Sequence, residues 1–125
     1  MFSLTLTDTQ KIDVQSRKHT YNYAMDGSLP NPLEATYAAL AACAGVYTHK
    51  AAKKLNKSVA GIQIECKSVV SSANPLIPAK WVTEITFTAE WNQEEKQAVI
   101  DSVAMCAVKE LIAHGQSIEF VTVEK

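Results

Sequence analysis

Alternating apolar and polar positions recur in six stretches of the chain and predict six strands. Residues 2–7 set Phe2, Leu4 and Leu6 to one side, and residues 11–16 continue with Ile12 and Val14. Asp8-Thr9-Gln10 between them suits a hairpin turn. Residues 19–24 place Tyr21 and Tyr23 on one face, and residues 59–71 do the same with Ile62, Ile64 and Cys66. Residues 80–91 set Trp81, Thr83, Ile85 and Phe87 against Val82, Glu84 and Thr86. Residues 117–124 close the chain with Ile118 and Phe120 and, one position out of phase, Val121 and Val123.

Two stretches with helical spacing interrupt these strands. The first opens at Asn31-Pro32-Leu33-Glu34 and runs to about Leu55. Asn31 can cap, proline is tolerated at the first helical position, and Glu34 stands where a capping-box carboxylate belongs. The second opens at Asn92-Gln93-Glu94-Glu95 and runs unbroken to His114-Gly115, where glycine can end it. Three strands, a helix, two strands, a helix and a final strand make an α+β order, not alternating βαβ units. Ala38 to Gly45 is small on almost every face, so the first helix is expected to pack closely against a second helix. Val99, Val103, Cys106 and Ala107 supply the matching stripe, with Cys106 inside it.

Composition narrows the function classes. A chain of 125 residues, 47% of it hydrophobic, suits one domain and gains from pairing with a second copy. A net charge of −1 with scattered lysines offers no field for nucleic acid or an anionic membrane. The start lacks the order of a signal peptide, and the richest apolar stretch is far shorter than the ~20 residues of a bilayer span, so a cytoplasmic protein is expected. Three cysteines without C-x-x-C spacing argue against a secreted disulfide framework and against a zinc ribbon. In a reducing compartment such cysteines are either core residues or reactive ones, and composition leaves both readings open for Cys43 and Cys106. Cys66, beside Ile64, reads as a core residue. His19, His49 and His114 show no metal-ligand spacing, so neither metal nor cofactor is expected.

The segment Gly27-Ser28-Leu29-Pro30-Asn31-Pro32-Leu33-Glu34, followed by Ala38-Ala39-Leu40-Ala41-Ala42-Cys43, resembles the first cysteine motif of the OsmC/Ohr family. Cys106 falls where that family carries its second cysteine, 63 residues beyond Cys43. The resemblance covers nearly the whole chain from Gly27 onward. It implies an intertwined homodimer with sheets packed around two long central helices. It also implies a thiol peroxidase acting on organic hydroperoxides or hydrogen peroxide in oxidative-stress defence. Cys43 would attack the peroxide, Cys106 would close a disulfide with it, and an external thiol or dithiol would reduce the pair.

In the family's peroxidases a glutamate directly follows the helix-opening proline, and an arginine comes from the N-terminal region. Here Leu33 follows Pro32, Glu34 comes one step later, and the only arginine is Arg17. Glu34, roughly half a turn around the helix from Cys43, is the carboxylate that remains for a catalytic set of Cys43, Cys106 and Glu34. Ala107 stands after Cys106 where the family often has proline. Two other functions compete: a non-catalytic dimer that binds a small apolar molecule or serves as a stress-associated scaffold, and a thiol-transfer enzyme using Cys43.

Overall fold

The computed structural model describes residues 1–70 and 78–123. The order is β1 (Lys11–Gln15), β2 (Thr20–Ala24), α1 (Pro32–Lys54), β3 (Gln63–Val70), β4 (Pro78–Thr86), α2 (Gln93–Val103) and α3 (Ala107–His114). Two compact units make up the chain, Met1–Ala39 and Leu40–Lys125, and their boundary falls inside α1.

In the first unit β1 and β2 pair antiparallel, with Ile12 opposite Tyr23 and Val14 opposite Tyr21. The turn is built by one serine: the Ser16 amide donates to the His19 carbonyl at 2.8 Å, and Ser16 Oγ accepts the His19 amide at 3.0 Å. Arg17 lies exposed in that turn. The expected strand over 2–7 does not form. Only Ser3 bridges to Gln15, and Phe2, Leu4 and Leu6 remain exposed. β1 pairs forward with β2 across the four residues 16–19, and back toward the start it keeps only the Ser3–Gln15 bridge among the described residues.

In the second unit β3 and β4 form an antiparallel pair, Ile64 opposite Ile85, Cys66 opposite Thr83 and Ser68 opposite Trp81. These residues share one face, as the alternation predicts. Positions 71–77 and 124–125, which include the ends of two expected strands, lie outside the described residues. β4 stops at Thr86 and not at Trp91. The chain turns there, the Trp91 amide donating to the Thr88 carbonyl at 3.3 Å, and Trp91 drops into the core. Among the described residues 117–123 no strand forms, and Ile118 and Phe120 are exposed.

The core is small. Ala51, Ala52, Trp91 and Val99 are buried together, with Val59, Ile62, Ile85, Phe87 and Val103 packed against them. Along α1 the buried positions are Ala44, Thr48, Ala51 and Ala52, one stripe at helical spacing. Ser102 Oγ donates to the Tyr47 carbonyl at 3.1 Å and holds α2 close to α1. Small residues allow that approach, since no long side chain separates the two backbones.

The unbroken second helix is the main correction. α2 ends at Val103, the amides of Met105 and Cys106 donate to carbonyls three residues back, and α3 starts afresh at Ala107. Cys106 is the N-cap of α3, with φ −58° and ψ 130°, and not a mid-helix residue. Of the two long helices expected, the 23-residue α1 is present, and the second is a pair of 11 and 8 residues.

Candidate functional site

Cys43 and Cys106 are joined by a disulfide, with their Cα atoms 6.3 Å apart. α1 delivers Cys43 one turn before Tyr47 and next to buried Ala44. The α2–α3 break delivers Cys106, whose own burial is nearly complete at 2% exposure, whereas Cys43 is half-buried. Both helix starts are well made. Asn31 Oδ1 accepts the Glu34 amide at 2.8 Å, and at α2 Asn92 and Glu95 satisfy each other's amides in a reciprocal cap. Cys43 thus sits on a helix with a capped start, whereas Cys106 follows the capped α2 and itself heads α3 without a side-chain cap.

A cavity of about 330 Å³ opens against the disulfide. Leu40, Ala44, Trp81, Val103, Cys106 and Ile112 line it, so its wall is largely apolar. Lys109 also reaches it, and its ammonium pairs with Glu110 at 3.1 Å. That bond, reinforced by the lysine charge, holds the Glu110 carboxyl below its ordinary range.

A second feature lies on the same helix face as Cys43. Tyr47, Lys50 and Lys54 follow it at steps of four, seven and eleven residues, the spacing of one stripe. With Lys53, Ser102 and Met105 they line a shallow recess that contains three lysines and no carboxylate. The Lys50 ammonium stands 4.6 Å from the Tyr47 ring centre. Met105, 73% exposed, directly precedes Cys106. This lysine stripe was readable from helical spacing once α1 was drawn, but scattered lysines conceal it in a one-dimensional reading.

Glu34 is exposed in the first turn of α1. His49 is exposed, and His114 pairs with Glu110 at 2.9 Å. Cys66 is a free, half-buried thiol 3.6 Å from Thr83 Oγ1. Among the described residues no three metal-ligating side chains gather, and no helix is long and apolar enough to cross a membrane.

The profile of OsmC-like proteins matches residues 25–121, most of the chain. The chain belongs to the OsmC-like family. A Psychrobacter arcticus protein, provisionally described as osmotic stress induced and of the detoxification response, superposes with a TM-score of 0.69 at 16% identity, over 87% of this chain and 85% of that one. A hypothetical protein from Aquifex aeolicus gives 0.71 at 20% identity, over 91% and 86%. An OsmC-like protein from Mycoplasma pneumoniae gives 0.62 at 12% identity, over 90% and 86%. At these identities the likeness is one of fold. No curated protein matches the chain. The OsmC-like motif over Gly27–Cys43 and the structural neighbours agree on the α+β architecture.

Proposed function

We propose that this OsmC-like protein is a thiol-dependent peroxidase cycling through Cys43 and Cys106. The observation that carries this reading is the bond between two cysteines 63 residues apart, beside an apolar cavity. The Cys43 thiolate attacks the distal oxygen of a hydroperoxide, the O–O bond breaks, and the alcohol (or water) leaves after taking a proton. The resulting sulfenic acid condenses with the Cys106 thiol, releasing water and forming the disulfide. Two external thiols, or one dithiol, then restore both thiols by exchange. Glu34 stays in the proposed catalytic set with Cys43 and Cys106. The proposed setting is the cytoplasm, where a standing supply of thiols suits such a cycle.

The assembly proposed is a homodimer. Val46 on α1, and Ile118, Phe120 and Val123 in the C-terminal segment, are at least half exposed in the single chain. A second copy would remove such surfaces from water.

Peroxide consumption with dithiothreitol as donor tests the proposal, with hydrogen peroxide and cumene hydroperoxide in parallel. Cys43→Ser is expected to lower turnover at least about a hundredfold, and Cys66→Ser to leave it unchanged. One equivalent of peroxide should remove two of the three thiols of the reduced chain. Unchanged turnover in Cys43→Ser, or no loss of thiols, overturns the proposal. Sedimentation of the same sample at the 13.6 kDa of one chain overturns the dimer. The cavity favours a second reading, binding of a small apolar molecule. Tight uptake of such a molecule without peroxide turnover would select it.

A further inference from the structure

The disulfide has two unlike ends. Cys106 is almost fully buried, and Cys43 is the more accessible residue of the two, half-buried. An attacking thiolate therefore reaches Cys43 Sγ more readily. Cys106 is also the better leaving sulfur, because it heads α3 and a helix N-terminus favours negative charge.

The surface leading to Cys43 is charged in one sense. Lys50 lies about 10 Å and Lys54 about 16 Å further along α1, by the rise of the helix. Both share the face of Cys43, with Lys53 beside them. Among the described residues no carboxylate pairs with any of the three, whereas Lys57, Lys67 and Lys109 each have one. The whole chain carries a net charge of −1, so this is a local positive field on a nearly neutral molecule. At such distances a field acts on an approaching anion within about one to two Debye lengths at moderate salt.

We propose that the lysine stripe of α1 (Lys50, Lys53, Lys54) steers an anionic thiol reductant onto Cys43, a specificity that rests on the reading of this pair as a redox couple. The first thiolate bonds to Cys43 Sγ as the Cys43–Cys106 bond breaks, and the electron pair leaves on Cys106 Sγ. A second thiolate bonds to the sulfur of the first, and Cys43 leaves as thiolate. Two external thiols become one disulfide, their two protons balance the two thiols regained by the protein, and no other reductant is needed.

The test measures how fast the oxidised protein is reduced by three monothiols, with acid quenching, alkylation and intact mass as readout. As thiolates, cysteamine carries no net charge, 2-mercaptoethanol one negative charge and 3-mercaptopropionate two. Dividing the wild-type rate by the Lys50→Glu/Lys54→Glu rate cancels each thiol's intrinsic reactivity. This ratio is expected to rise roughly threefold to tenfold with each added negative charge at low salt and to shrink toward one in high salt. Lys50→Gln/Lys54→Gln should give the same order with about half the logarithmic effect. A ratio that is the same for all three thiols, whether one or larger, overturns the proposal, since general damage to the fold has no reason to follow thiol charge. The series contains no peroxide. A protein that peroxide fails to reoxidise would sink the peroxidase and leave the steering result to be judged by itself.

Discussion

Glu95 accepts the Asn92 amide at 2.9 Å and meets the Lys57 ammonium at 3.2 Å. The amide is the largest cause of a carboxyl pKa held below its ordinary 4.5; burial opposes it, and the Lys57 ammonium lowers it further. A carboxylate lowered in the folded state adds stability that is present above its unfolded pKa and is lost as pH falls through the folded value. Replacing Glu95 by glutamine should therefore cost stability near neutral pH and progressively less on acidification. Urea midpoints of both proteins taken from about pH 7 to about pH 2 check this, and a constant gap would refute the assignment. The Asn92–Glu95 cap was legible in the sequence, because it depends on residues three apart. The Lys57 contact was not, since a loop residue finds its partner 38 positions later only after the chain has turned back.

Helix by helix, local signals located the starts better than the interruption. Asn31 and Asn92 both cap as their residue types predict. The break before Cys106 escaped the periodicity because Val99, Val103 and Cys106 keep a helical spacing across it. The available signal was the proline that the OsmC/Ohr family often carries after its second cysteine, a residue that belongs at the first position of a new helix. Ala107 occupies that position here, and the ψ of 130° at Cys106 suits a residue before proline. Ala107→Pro is thus expected to be neutral or to stabilise by up to about 1 kcal/mol. In a continuous helix it would cost about 3 kcal/mol, so thermal or denaturant unfolding of this one variant distinguishes the two. The termini misled in the opposite way. Residues 2–7 alternate well and 117–123 do so with one slip of phase, yet alternation states only which face a strand would bury and supplies no edge to pair with.

At the scale of the molecule, the Cys43–Cys106 bond ties the middle of α1 to the start of α3 across a separation of 63 residues. Closing a loop of that length restricts the unfolded chain by about 4 kcal/mol in the chain-entropy account. The core of the second unit is thin, with Val99 and Cys106 the largest fully buried side chains. Reduction is therefore expected to lower unfolding stability by up to about 4 kcal/mol, read as a fall in the urea midpoint when a reductant is added. Cys43→Ser should sit near the reduced protein and be insensitive to reductant. An unchanged midpoint would mean that the redox state is not felt by the fold. The proposed catalytic cycle and this stability change are coupled through the same bond, so a more stable oxidised form is also harder to reduce.

The amino-acid sequence by itself determined the α+β class, the OsmC-like family, the two capped helix starts, the shared face of β3 and β4, and the two cysteines worth watching. Each rests on neighbours within about one helical turn, on strand alternation, or on a motif. Tertiary structure alone decided that the two sulfurs stand within bonding reach, that Cys106 heads a new helix, and that Cys43 is half-buried while Cys106 is almost fully buried. Those outcomes depend on contacts between residues far apart in the chain, whose distances are set by how α1, α2 and the second hairpin pack.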